Sequence, residues 1–530
     1  MLRLTGNVFK LMSLILFIGI SAALYAGGGS QAAQSSGATT ASGYPIVTDG
    51  SVTLRYWIPI NITASNYIRS YSENISFQEF MKKTGINLDF IHPASGQETE
   101  SFNLMIASRD LPDLIEGPQR YRGGTGAGLA DGAYLDLTTY LERWAPDYYA
   151  LVKSDIRIWR EVTTPDNRFA AFHQIKPDRD PLNTTMMVNY GILEELGFGL
   201  PTTIADYTAI FEAYRSRTGQ AGFAPNQNGR DPLMMGAFDI FNNFYPDHGT
   251  VKFGPYEAMY RDYLELYAEW FRRGFIFEGF PATTIAQRRT LLYRGEILAL
   301  QADVDNTMIM GLAAGARPMP APFPRQRPGQ MLHTNDWEAV PTRPSGTIAV
   351  SGNTRYREEA IRFLNYGYTP EGSLIHNFGV EGVTFTMVNG RPQLTDYALN
   401  HPTLTPEGVN YVLNMFVGPM LAVPGRYRNP NIHLHPENYQ LRMNIDNDPN
   451  LDSAFAMPTL VLPSEDATRN GRIMADVNTY LNEMTLRFIT GAESLSRFPE
   501  YQAQLRSFGI EEAIAIQQRA YNMYVGKQIP

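Results

Sequence analysis

The chain carries side chains suited to holding a polar solute at points where its apolar runs stop. Carboxylates, amides and guanidinium forks meet paired hydroxyls, and aromatic rings cover aliphatic C–H faces. Trp57 and Asn61 follow one such run, and Glu116, Arg120 and Tyr121 follow another. Asp303 and Asp305 come after residues 295–300, and at i, i+2 they would point the same way if extended, which suits paired acceptance of hydroxyls. A helix start competes with that reading, because Asp305-Asn306-Thr307 before Met308-Ile309-Met310 also looks like a cap. Asp239 and Trp337 are lesser candidates in loops, and Arg426-Tyr427 offers a cation and a ring within what reads as a surface turn. Blander alternatives stand beside these: Trp57 could face the sheet, and Arg120 with Arg122 could form a solvated loop. Aromatics make up 12% of the chain, so a ring on a helical stripe reads as core and one on a strand-end loop is the better ligand candidate.

Other chemistries find less material. There is no Gly-x-Ser-x-Gly elbow, no His-Glu-x-x-His and no Walker A loop. A glycoside hydrolase needs only a pair of carboxylates, and these are too plentiful to discriminate, so it stays the rival from another class. The glycine-rich residues 123–128 lack the phosphate-binding Lys and read as a mobile loop. His433-Leu434-His435 could put two imidazoles on one side of a strand, but no third ligand is evident, so no metal and no cofactor are expected. Cysteine is absent, which excludes thiolate metal sites, a Cys nucleophile and disulfides.

With 530 residues, 44% hydrophobic and 18% charged, the composition is that of a globular chain of two to four domains. A net charge of −9 argues against a nucleic-acid binder, which needs a basic face. No repeat of 20 to 50 residues is evident. Residues 1–26 read as a secretory signal, with Arg3 and Lys10 ahead of an apolar stretch over 11–26; an uncleaved anchor is the alternative. Residues 27–43, rich in Gly, Ser, Ala, Gln and Thr, read as a flexible linker.

The elements that must position the candidates follow. Residues 52–58 read as a strand, and Ser76-Phe77-Gln78-Glu79 as a capping box opening a helix that Gly85 ends. Strands over 86–91 and from Leu114, with a helix over 99–108 between them, complete a β-α-β-α-β order, hence a parallel sheet with ligands beyond its carboxyl ends. A further strand covers 186–188. Thr203 and Asp206 fit a capping box, and Tyr207, Ile210, Phe211 and Tyr214 form one buried stripe. Tyr263, Tyr267, Trp270 and Phe271 mark another helix, Ile473 through Phe488 a third ended by Gly491, and Ile510 through Tyr524 a last one.

Several segments, in order, resemble the family 1 extracellular solute-binding proteins of ABC transporters, especially the long oligosaccharide-type and LplA-like members. Ala107-Ser108-Arg109-Asp110-Leu111-Pro112-Asp113 is similar to the family's ASGDLPD segment, with Arg109 in place of Gly. Asp131-Gly132-Ala133-Tyr134-Leu135, the stretch ending Pro201-Thr202-Thr203, Gly379-Val380-Glu381-Gly382-Val383 and the helices after Asn478 resemble further family segments. The resemblance implies an α/β, two-lobed periplasmic-binding-protein-like fold of type II, with the ligand cleft between lobes joined by a hinge. On it, lobe 1 takes 44–185 plus 340–455 and lobe 2 takes 186–339 plus 456–530. It implies a non-enzymatic, monomeric protein outside the cytoplasmic membrane that captures a carbohydrate and delivers it to permease subunits. A peptide-like or other polar solute, and a sensory role without transport, are the alternatives. Sugar-contacting loops of the family fall at the two strand ends bearing Trp57 and Glu116, and its cleft groups just after the strand over 295–300. Leu24-Tyr25-Ala26-Gly27 resembles a bacterial lipobox in which Gly27 replaces the lipidated Cys. Some relatives carry an acidic calcium loop, but residues 217–231 lack the spaced acids, so no calcium is expected there.

Overall fold

Val52, Leu54 and Tyr56 alternate with more exposed neighbours, and this two-residue period starts the first sheet. In the computed structural model, residues 43–176, 181–334, 341–415, 418–423 and 425–530 are described; the signal, nearly all of the linker, and Trp337 lie outside them. Eight strands make the two main sheets among these residues: β1 (Thr53–Trp57), β2 (Asn87–Ile91), β3 (Leu114–Glu116), β4 (Phe172–Ile175), β5 (Thr184–Asn189), β6 (Ala299–Asp303), β7 (Pro318–Ala321) and β8 (Thr342–Val350).

The first sheet has the order β2-β1-β3-β8-β4. β1 pairs in parallel with both β2 and β3, as the β-α-β-α-β order predicts, whereas β8 runs antiparallel to β3 and β4. Its helices begin with α1 (Ile75–Thr84) and α2 (Glu98–Ser108). The expected cap of α1 is displaced. Asn74, not Ser76, is the N-cap, accepting from the backbone N–H groups of Ser76 and Phe77 at 2.9 and 3.0 Å. Ser76 is buried and donates instead to the carbonyl of Leu413, a tertiary partner that local spacing does not reveal. Gly85 closes α1 at φ +74° as expected. The glycine-rich stretch is a helix rather than a loop, α3 (Gly124–Ala130), entered through Gly123 and Gly124, both left-handed. Next come α4 (Ile156–Val162) and the crossing into the second sheet.

The second sheet has the order β6-β5-β7, antiparallel throughout. Thr203 and Asp206 form the expected capping box on α5 (Ile204–Thr218), whose Tyr207, Ile210, Phe211 and Tyr214 are all buried. They pack with α6 (Pro232–Gly236), with the Tyr263-Tyr267-Trp270 stripe of α7 (Met259–Arg272), and later with α9 (Ser464–Thr490) and α10 (Ile510–Gly526). Here α8 (Val304–Ala313) follows β6 directly. β6 starts at Ala299 rather than at 295, because Gly295 takes a left-handed turn after the helix Ile285–Tyr293.

Two main cores result. One draws on residues from Val52 to Ile175 and again from Ile348 to Met415; the other draws on Met186 to Ala321 and Ile473 to Ala513. The chain therefore leaves each core and returns. Leu332–His333 pairs in parallel with Leu451–Asp452 beside these crossings.

Candidate functional site

The carboxyl ends of β1, β2 and β3 lie together on one edge, beside the amino end of β8 and the carboxyl end of β4. Gly117 sits at φ +69° directly after β3, in the left-handed region that favours glycine, and an added Cβ would push against the Arg120 guanidinium where the turn Pro118–Arg120 folds it back. Arg120 Nη1 then donates to Glu116 Oε2 at 3.1 Å, and its guanidinium lies 5.7 Å from the centroid of the buried Trp57 ring. Burial raises the Glu116 carboxyl above its ordinary range and Arg120 pulls it back. Three sequence candidates are thus brought together, bonded mainly to one another. Tyr121 turns away, its hydroxyl donating to Asp131 at 2.8 Å. Asn61 accepts from the backbone N–H of Thr63 at 2.8 Å and shapes its own loop.

A cavity of about 100 Å³ opens next to that turn, lined by Gln119 and Thr125. Glu161, Thr164, Thr342 and His173 line it as well. Glu161, in the last turn of α4, is 3% exposed. Its Oε2 accepts from the Thr342 hydroxyl of β8, while Oε1 has no hydrogen-bond partner. Burial pushes this carboxyl up to about 7, against the Thr342 hydrogen bonds and the charges of Lys176 and Arg157. His173 is driven down to about 4 by burial, so it is neutral near pH 7. The end of α4 is held by Lys527 from beyond α10, whose ammonium donates to the carbonyls of Arg160 and Thr163 at 2.8 and 2.5 Å. A cation there satisfies carbonyls that the helix end leaves without partners.

A second cavity, of about 180 Å³, lies against the other sheet. Leu182, Leu233, Phe241 and Phe323 give it an apolar lining, and Asn183 and Gln301 are among its polar groups. Gln301 Oε1 accepts from the backbone N–H of Leu233 at 3.1 Å, and Asn183 Oδ1 is buried without a partner. His333, also on the wall, has Nδ1 2.8 Å from Asp452.

The aspartates beyond β6 take the helix-start reading. Asp303 caps α8, accepting from the Asn306 N–H at 3.0 Å, and is ion-paired with Arg289. Asp305 is buried against Arg442 at 3.1 Å. The chain turns helical between them, so they do not present a matched pair. Asp239 adopts φ +55° with Gln330 Nε2 at 3.5 Å. Tyr427 lies in the short helix Gly425–Arg428, 38% exposed with the Arg426 guanidinium 4.8 Å from its ring centroid. His433 is in the helix Pro430–Leu434, not in a strand, and its Nε2 bonds the Tyr427 carbonyl at 2.7 Å, while His435 lies 3.4 Å from Glu437. The residues singled out from the sequence lie at the turn after β3 and at the end of β6; Gln119, Glu161 and Gln301, which line the two cavities, were not among them. Gln301 alone had a local signal, being polar between the buried Leu300 and Ala302 of one strand.

Residues 217–231 close around a guanidinium. Arg288 Nη1 donates to the Pro225 carbonyl at 2.8 Å and to Asn226 Oδ1 at 3.0 Å. Asp231 is fully buried and accepts from the Asn226 N–H and the Tyr267 hydroxyl at 3.0 and 2.9 Å. A calcium ion needs six to eight oxygens, and one carboxylate already accepting at both oxygens does not provide them. The loop does not fit the ion. Chelation by EDTA should leave the melting temperature unchanged, whereas Arg288→Ala should lower stability by about 2 kcal/mol or more by leaving buried acceptors unpaired; differential scanning calorimetry checks both.

No family model matches the chain. It is similar to the fructooligosaccharide ABC transporter substrate-binding protein FusA of Streptococcus pneumoniae serotype 4, 21% identical over 491 residues that cover 86% of this chain and 87% of the relative. It is also similar to lipoprotein LipO of Bacillus subtilis, 19% identical over 355 residues, 59% of this chain and 64% of the relative. Among solved structures, alginate-binding protein AlgQ2 without calcium ion superposes with a TM-score of 0.71 at 20% identity, over 90% of this chain and 99% of that one. FusA in complex with kestose does so with 0.74 at 17% identity, over 90% and 100%. These likenesses show the two-lobed binding-protein fold.

Proposed function

We infer that the chain belongs to the extracellular solute-binding proteins of ABC transporters and that it captures an oligosaccharide for delivery to a membrane permease. The relatives' names support the class: one is a fructooligosaccharide ABC transporter substrate-binding protein, and a neighbour of similar fold from Bifidobacterium longum infantis is an HMO binding, ABC-transporter-associated solute-binding protein. The observation that carries the reading here is the placement of the two cavities. The chain crosses from β4 to β5 and from Leu332–His333 to β8, and at one end of each crossing lies the polar cavity, at the other the apolar one. A ligand spanning them would touch both lobes, so it would favour the closed state by contacts that the open state lacks.

The cavity walls, with the strand-end cluster of Trp57, Glu116 and Arg120 beside them, are the ligand site of this reading. The lobes take 44–185 with 340 onward, and 186–339 with the C-terminal helices. Contact of Leu441 with the second lobe's packing and the Arg442–Asp305 pair favour a return crossing nearer 425 than 455. Residues 1–26 act as the export signal and 27–43 as a tether, and no described helix is long and apolar enough to cross a membrane. The protein works as a monomer and without catalysis. Glycoside hydrolysis needs two carboxyl groups flanking the bond; Glu161 is the one carboxylate on the described walls of either cavity, and Glu116 beside them is held in an ion pair with Arg120.

A thermal-shift screen of residues 27–530 against neutral and acidic oligosaccharides, with peptides as controls, tests the reading. A glycan at a hundredfold excess over its Kd should stabilise the protein by about 2.7 kcal/mol. Reducing ends should not increase on incubation. A shift with peptides alone would sink the carbohydrate assignment, and new reducing ends would sink the non-catalytic one.

A further inference from the structure

We propose that the smaller cavity is a subsite for the edge of one neutral sugar ring, with Glu161 Oε1 accepting from a ligand hydroxyl, and that this carboxylate turns acidic oligosaccharides away. The proposal rests on the capture reading above and deepens it by naming the ligand's charge class.

A carboxylate oxygen that is buried and has no partner is expensive to leave unsatisfied. Glu161 lines the cavity and has one such oxygen, while its other oxygen is fixed by Thr342. The side chain cannot rotate to solve its own problem without breaking that second bond, so the missing donor must come from outside. Around it, Thr125 presents a hydroxyl and Gln119 an amide that both donate and accept, while the Thr342 and Thr164 hydroxyls, whose protons go to Glu161 and Asp166, can act only as acceptors. Such a lining matches a sugar ring, whose hydroxyls both donate and accept. A cavity of about 100 Å³ is somewhat smaller than the ~150 Å³ that encloses a benzene, so it admits a ring edge rather than a chain.

The charges favour a neutral ligand. A ligand carboxylate would have to lie beside Glu161. Arg343 on the wall and Lys176 already have partners of their own. Arg157 acts on Glu161 from α4 itself and is engaged by Asp155, His173 of β4 is neutral, and Lys527 is bound to α4 carbonyls. The walls of the larger cavity carry no Asp, Glu, Lys or Arg among the described residues. Accepting a hydrogen bond from a ligand hydroxyl stabilises the ionised carboxyl, so ligand binding near neutral pH should expel a proton.

Isothermal titration calorimetry at pH 7, in phosphate and in Tris, tests this with neutral tri- and tetrasaccharides of fructose, glucose, xylose, mannose and galactose, and with trigalacturonate. The wild type should bind at least one neutral glycan, with heats that differ between buffers as proton release requires, and should bind trigalacturonate at least tenfold more weakly. Glu161→Gln should weaken neutral-glycan binding at least tenfold and abolish the buffer dependence, without lowering the melting temperature; Gln119→Ala, on the same wall, should weaken binding with the buffer dependence retained. If Gln301→Ala weakens binding while Glu161→Gln and the buffer change nothing, the proposal falls and the capture reading stands. Equal affinity for trigalacturonate overturns the proposal in the same way. No heat from any glycan overturns both.

Discussion

Replacing Arg442 with methionine should cost about 3–5 kcal/mol of folding stability, the range for removing one partner of a buried ion pair. Its guanidinium reaches three places at once. Nη1 donates to Asp305 in the first turn of α8, Nη2 to the Pro181 carbonyl at 2.5 Å and Nε to the Leu182 carbonyl at 3.2 Å. Asp305 is 7% exposed, so removing Arg442 would take away its buried counter-charge without returning the carboxylate to water. The carbonyls belong to the crossing that leads into β5, and Leu182 lines the larger cavity, so affinity for any captured glycan should fall along with stability. Urea titration of Arg442→Met, Asp305→Leu and the double variant checks the mechanism. The double variant should recover much of the loss, because removing both charges avoids burying one without its counter-charge. Additive losses would count against it.

How far the sequence foretold the fold depended on whether the determinant was local. The buried stripe of α5 and its Thr203–Asp206 box follow from a 3.6-residue period and a three-residue spacing, and both are present. The parallel order of β1, β2 and β3 follows from alternating elements and the handedness of crossovers. The start of α1 did not, since Ser76 is claimed by Leu413, 337 residues away, and Asn74 takes the capping role. The candidate site divides the same way. The turn after β3 was locatable, but within it the short helix Pro118–Arg120 folds Arg120 back onto Glu116 and leaves Gln119 at the cavity. Asp303 and Asp305 were distinguishable only by the helix that starts between them. Glu161 had no local signal at all: in Ile-Arg-Ile-Trp-Arg-Glu-Val it reads as one more polar residue on a helix, and its burial is imposed by a strand whose Thr342 lies 181 residues later.

That isolation makes Glu161 the site of a large pH effect in the ligand-free protein. Its carboxyl titrates at about 7 in the folded state against 4.5 as the ordinary value, chiefly because burial disfavours the charge. Between those values the folded protein holds a proton that the unfolded chain has released, so stability falls as pH rises through the window. The burden is absent below pH 4.5, grows through 5 and 6, and is complete above 7. At 1.36 kcal/mol per pKa unit it reaches about 3 kcal/mol at most. Glu161→Gln keeps the shape and an acceptor for Thr342 but carries no charge. It should therefore be more stable than the wild type by up to about 3 kcal/mol at pH 8, and equal to it near pH 4. Denaturant titrations across pH 4–8 would show the two curves diverging as pH rises. Parallel curves would mean that Glu161 is already satisfied in the free protein, and an acceptor that needs no donor would have no reason to await a ligand. A stabilising substitution that weakens binding would instead mark Glu161 as a group whose cost in the empty protein is offset when a ligand hydroxyl arrives, the stability–function trade expected of a binding residue.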